Sequence, residues 1–175
     1  MNQTTKAYLA IIFLSIAWGT TYLAIRVGVE HYPAFLFAGL RQFIAGGTMA
    51  VFAIAFYKKA DISWPVVRMN MMIGFFMIAV GNGIVSYAEK TVPSGVAALI
   101  CTMMPLNAVL LNIFMSKDEK PNPTIITGIL LAMAGVALIF RDNLADLGNP
   151  VYFWGMIAIY IGTISWAFGS LKSKQ

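Results

Sequence analysis

The chain has 175 residues, of which 59% are hydrophobic and 11% charged. A soluble domain of that length could not enclose so much apolar surface, so lipid is its solvent. The net charge of +5 does not mark a nucleic-acid partner, because the basic residues fall mainly in the gaps between apolar runs, where they report membrane topology.

A helix needs about 20 apolar residues to cross a bilayer core. Six stretches meet that need: Tyr8–Ile25, Phe35–Phe56, Met69–Tyr87, Ser94–Met115, Thr124–Phe140 and Tyr152–Leu171. The expected fold is therefore all-α, a polytopic membrane helix bundle with six transmembrane helices. The first stretch follows a single basic residue, Lys6, and is too long for the apolar region of a signal peptide. No small-residue cleavage pattern follows it, so it stays as the first span. Trp18 lies near its middle, away from the interfacial belts where tryptophan usually sits. Its indole either faces a central cavity, where it would stack on a planar or apolar substrate, or packs in the core.

Pro33, Pro93 and Pro123 stand just ahead of the second, fourth and fifth spans, where a fixed φ and a missing N–H suit a helix start. Arg41 lies about two turns into the second span. An intramembrane charge costs at least roughly 2.5–3.5 kcal/mol on insertion scales, so its guanidinium is expected to face the bundle or water. It serves either as a fixed cation for an anionic or carboxylate-bearing substrate or as a structural post reaching the interface. Farther along the second span, Ala38, Gln42, Gly46 and Ala50 form a row of small residues.

The third span ends in Gly81-Asn82-Gly83, then Ser86. The glycines open room beside Asn82, whose amide both donates and accepts. Asn82 and Ser86 are four residues apart on one helical face, so the stripe lines a cavity or bonds another helix. Pro105 in the fourth span leaves the Cys101 carbonyl without its helical donor and permits a kink, which borders a substrate site or is a packing bend. In the fifth span Gly128, Ala132 and Gly135 share a face that allows close packing, within the chain rather than in a dimer seam.

The sixth stretch echoes the first. Aligning Tyr8–Ala24 with Met156–Lys172 pairs Ala10 with Ala158, Ile11 with Ile159, Ile16 with Ile164, Trp18 with Trp166 and Leu23 with Leu171. A repeat with an odd number of spans re-enters the membrane inverted, an architecture common among secondary transporters. Two indoles at equivalent depth on opposed helices would face one cavity. Ser165, Gly169 and Ser170 give the sixth span a small, polar side directed at spans one, three or four. Ile157, Ile161, Ile164 and Phe168 are left to meet lipid.

All seven acidic residues (Glu30, Asp61, Glu89, Asp118, Glu119, Asp142 and Asp146) fall in or beside loops. A buried carboxylate relay is therefore not expected. Cys101 and His31 are each the only residue of their kind, which predicts neither a disulfide framework nor a metal site. Without a glycine-rich phosphate loop or a nucleophile–base set, the chain is not expected to be an enzyme or to need a cofactor. Lys6, Lys58, Lys59, Arg68, Lys117, Lys120, Lys172 and Lys174 fall on one side of the membrane; Arg26, Lys90 and Arg141 fall on the other. Eight against three puts both termini in the cytoplasm.

Trp18-Gly19-Thr20, Pro33 and Arg41 resemble the EamA-type permeases of the drug/metabolite transporter superfamily. So do Ser94-Gly95-Val96-Ala97 opening the fourth span, Pro105 within it, and Gly128…Gly135 running to Phe140-Arg141. The resemblance covers essentially the whole chain. It implies a ten-helix protein of the bacterial inner membrane, built from two inverted five-helix repeats, that moves small metabolites, amino acids or drugs by alternating access. Residues 1–141 would be the first repeat, and 142–175 a connecting loop with the first helix of a truncated second. Trp18, Asn82, Ser86, Pro105 and Trp166 would line the cavity, joined by Arg41 as a substrate contact. The expected partners are the lipid bilayer, a small-molecule substrate and a second chain or a missing C-terminal half. The competing expectations are a non-transporting assembly module and a dimeric small multidrug-type pump; the lack of a carboxylate in span one counts against the latter.

Overall fold

The computed structural model describes residues 2–56, 63–115, 122–141 and 148–173. They form α1 (Gln3–His31), α2 (Ala34–Phe56), α3 (Trp64–Gly74), a π-helical segment (Phe75–Asn82), α4 (Gly83–Ala88), α5 (Ser94–Cys101), α6 (Met104–Met115), α7 (Pro123–Phe140) and α8 (Pro150–Lys172). α3, the π segment and α4 run on as one span, and α5 with α6 makes another, so six helical stretches are long and apolar enough to cross a membrane. The chain is a multi-pass, all-α membrane protein. The basic loop residues Lys58, Lys59, Lys117 and Lys120, and Lys174, lie outside the described residues, as do Asp61, Asp118, Glu119, Asp142 and Asp146.

Helix starts follow local chemistry. Asn122 and Asn149 each cap the helix that follows, their side-chain oxygens accepting from the N–H groups of Thr124 and Val151 at 3.0 Å, with Pro123 and Pro150 opening α7 and α8. α1 continues past the apolar run to His31 because Arg26 and Glu30 pair across one turn at 3.1 Å. The third span likewise begins earlier than hydropathy alone places it, at Trp64. In the fourth span the helix breaks between Cys101 and Met104. Thr102 N–H turns back to the Ala98 and Leu99 carbonyls and Met103 N–H to Ile100, the adjustment that Pro105 requires when it supplies no donor.

α8 lies centrally, packed on α3, the π segment, α4, α5 and α6. Gly155, Gly162 and Gly169 recur every seven residues along its contact face. A Cβ placed on Gly162 would stand 3.1 Å from the Gly81 carbonyl oxygen, and one on Gly169 2.5 Å from Met77 Cγ. Spacing of seven, alternating steps of three and four, is the pattern of helices crossing at about 20°. Phe168 does not point at lipid as expected: its ring meets Phe76 edge-on at 4.9 Å.

The first two spans behave differently. The residues they bury, Ile25, Val29, Ala34 and Ala38, all lie at the end of the bundle opposite the N-terminus. There α1 packs on α5 and α2 on α4. Phe37 enters the space that Gly28 leaves, and Phe35 stacks on Tyr87 at 5.5 Å. Farther along, both helices are exposed. The expected packing of the small-residue rows is not seen within the described chain: Gly46, Gly128 and Gly135 have no neighbouring group within reach of an added Cβ, and α7 buries no residue. Small residues permit close approach but supply no apolar driving force between helices in lipid, so a row is filled only where a partner helix is present.

Candidate functional site

Two polar layers sit inside the bundle. The central one joins spans four and six. Just past the Pro105 break, Asn107 is buried; its Nδ2 donates to Thr163 Oγ1 at 2.8 Å and its Oδ1 accepts from the Tyr160 hydroxyl at 3.1 Å. Thr163 donates in turn to the Tyr160 carbonyl at 2.7 Å. One layer away, Ser165 Oγ donates to the Phe76 carbonyl at 2.8 Å. Phe76 lies in the first turn of the π segment, where a change of hydrogen-bond step disturbs the regular ladder. Each group is satisfied, so this layer fixes the register of spans three, four and six.

The second layer lies at the end opposite the N-terminus and is not satisfied. Glu89 follows α4 directly and is 0% exposed, and neither carboxylate oxygen has a hydrogen-bond partner among the described residues. The Arg26 guanidinium donates to the Glu89 backbone carbonyl rather than to its carboxylate. Arg41 is half-buried and within electrostatic range of Glu89. Burial pushes the Glu89 carboxyl up to about 8, against the opposing pull of Arg41 and Arg26. Ser86, one turn back on the same face, is also 0% exposed with its hydroxyl unpartnered among the described residues. Ala88, Val92, Val96, Ala97 and Tyr152 enclose this end in apolar packing.

Glu89 does lie beside a loop, as expected, but the expectation that no carboxylate is buried needs correcting for it. It stands one residue past its helix, but it is buried there, at an end of the bundle packed with Ala88, Val92, Val96 and Ala97. The candidate positions are otherwise spread through the bundle. Arg41 faces the Glu89 layer. Ser86 is sealed within that layer and reaches neither an open cavity nor an interhelical bond among the described residues. Asn82 ends the π segment, half-buried, its amide without a partner among the described residues. Trp166 packs against Gly81, whose added Cβ would lie 3.0 Å from its Cδ1. Trp18 is 63% exposed and does not meet Trp166 in a ring contact, while Gly19 and Thr20 are also exposed. Pro105 lies at the surface, with its consequence, Asn107, inside. An open concavity of about 400 Å³ lies beyond the sealed layer, lined by Thr91, Pro93, Asn149, Val151 and Tyr152, and holds none of the candidate residues.

The EamA-like transporter family model matches residues 5–141. Over 177 residues the chain is 39% identical to the "Uncharacterized inner membrane transporter YedA" of Escherichia coli (strain K12), covering 99% of this chain and 55% of that protein. It is 29% identical to the "Uncharacterized transporter YoaV" of Bacillus subtilis (strain 168), covering 97% of this chain and 57% of that one. A "Probable amino-acid metabolite efflux pump" of Escherichia coli (strain K12) is 25% identical over 94% of this chain and 52% of its own length. The chain thus spans about half the length of the curated relatives it matches. No solved structure matches it.

Proposed function

We propose, since the chain belongs to the EamA-like transporter family, that it forms one half of a transporter moving small metabolites or drugs by alternating access. Amino acids and related compounds fit this reading, because one relative carries the name of an amino-acid metabolite efflux pump. Residues 1–141 act as the first five-helix repeat and 142–175 as a loop and the first helix of an inverted second, with Trp18 and Trp166 at equivalent depths. The observation that carries this reading is the asymmetry of spans one and two. They bury residues at one end only, so the passage is closed there and uncovered along the rest of its length. Trp18, Gly19 and Thr20 lie on the uncovered flank, where a further set of helices would complete a substrate passage.

A second reading, a membrane assembly module without transport, draws on the same uncovered flank and on α7. Flux separates the two. Vesicles containing this chain together with a separate chain carrying the remaining helices of a full-length relative are expected to move radiolabelled amino acids above the level of empty vesicles. Vesicles with this chain alone are expected to move little. No flux from the pair, with both chains inserted and associated, favours the assembly module.

The proposed site of action is the bacterial inner membrane with both termini cytoplasmic, on the loop charge bias. A reporter active only outside the cytoplasm, fused after Gln175, is then expected to stay silent; a strong signal would reverse the orientation.

A further inference from the structure

We propose that Glu89 is a proton-binding latch: protonated, it lets the end of the bundle opposite the N-terminus close, and ionised, it reaches for Arg41 or water and opens that end. The protonation stands on geometry alone; only its use in transport rests on the function proposed above.

The argument begins with what surrounds the carboxylate. Both oxygens are buried and lack donors among the described residues, an arrangement that penalises an ionised carboxylate far more than a neutral acid. The charged and titratable groups nearby do not remove the penalty. On α1, Arg26 is committed to the Glu89 backbone carbonyl and to Glu30 at 3.1 Å, and His31 is exposed and turned to the Val27 carbonyl. Tyr22 on α1 and Cys101 at the end of α5 lie within electrostatic range of Glu89. Tyr152 on α8 is buried in the same apolar cluster, and the adjacent Lys90 is exposed, its ammonium 6.0 Å from the Tyr87 ring centroid. Arg41 on α2 is the one cation in range that is not engaged by another group among the described residues, and it lies beyond ion-pair distance.

An ionised Glu89 therefore needs either water, for which its site has no opening, or Arg41 brought into hydrogen-bond range. Both require the packing at this end to loosen, and the second requires α2 to shift against α4. The proton released passes to water on that side of the membrane, and no other bond changes.

Infrared difference spectroscopy of the full chain in lipid vesicles tests the protonation. A carboxylic-acid C=O band is expected at about pH 6 and is expected to disappear as pH rises through about 8. Glu89→Gln should lack the band and Glu89→Asp should shift it. An ionised carboxylate at about pH 6, in a chain with native helix content, overturns the proposal. The latch has its own readout. With Cys101→Ala as background, Val92→Cys is labelled by an impermeant maleimide and normalised to the exposed Tyr32→Cys, which removes the pH dependence of the thiol itself. The ratio is expected to rise about tenfold between about pH 6 and about pH 9 and to stay flat when Glu89→Gln is added. A ratio that is flat with Glu89 in place, or that rises equally without it, overturns the latch. Neither measurement needs a transported solute, so a chain that moves nothing still tests the site.

Discussion

Gly162→Leu is expected to detach α8 from the third span and prevent the chain from accumulating in the membrane. A Cβ alone would stand 3.1 Å from the Gly81 carbonyl and 3.6 Å from Val85 Cγ2, so the rest of a leucine side chain has no volume to occupy. The obstacle is backbone, which cannot turn aside as a flexible side chain does. Overpacking typically costs about 1–3 kcal/mol, and separating the helices also breaks the Ser165 bond to Phe76 and the Asn107–Thr163 bond near the same contact. We therefore expect a loss of at least about 3 kcal/mol, read as collapse of the thermal unfolding transition in detergent and loss of protease resistance. Gly128→Leu is the control. That position meets no neighbouring group, so the yield should be unchanged. Normal yield and stability for Gly162→Leu would mean that the glycine row does not set the helix spacing.

Arg41→Ala is expected to lower transport by the paired chains roughly tenfold to a hundredfold, about 1.4–2.7 kcal/mol, while leaving folding nearly intact. The two effects separate because of Glu89. Were that carboxylate ionised in the closed bundle, removing the one unengaged cation near it among the described residues would strand a buried charge and unfold the protein. With Glu89 neutral, alanine removes only the partner needed when the end opens. Arg41→Lys should restore part of the flux, since an ammonium supplies charge without the planar fork. Initial flux and thermal stability measured on the same preparations check this. Full activity in the alanine variant would take Arg41 out of the site, and unfolding would show that Glu89 is charged.

The spans were legible because an apolar run long enough to cross a bilayer has few other uses, and the break after Cys101 because proline removes a specific donor. The site was less legible, for physical reasons. Hydropathy treats Glu89 as a loop residue, two positions past the apolar run, and its burial comes from tertiary packing at this end of the bundle. A signal was present even so. The topology puts Arg26, Arg41 and Glu89 at the same end, and Ser86 lies one turn from Glu89. The Gly155, Gly162 and Gly169 row was also written in the sequence, at a spacing of seven, although Ser165 and Gly169 had marked only part of that face. Asn82 and Ser86 stand one α-helical turn apart, but Ser86 is sealed in the apolar packing at this end while Asn82 is only half-buried, a difference set by neighbouring helices rather than by helical counting. Trp18 and Trp166 match in sequence, but whether two positions meet depends on helices packed between them.

The π segment also bears on how the third span fits its bilayer. At 25 residues an unbroken α-helix would extend about 37 Å, several ångströms more than a hydrocarbon layer of about 30 Å. Mismatch of that kind is ordinarily met by tilting the helix or thickening the membrane. Here tilt is restrained, because the glycine row fixes the crossing with α8. An eight-residue stretch wound with a wider turn advances less per residue, so the span sheds part of its surplus length within itself. The thickness of the surrounding lipid thereby becomes a load on that segment, and a thinner or thicker bilayer would act on the middle of span three before it disturbed either end.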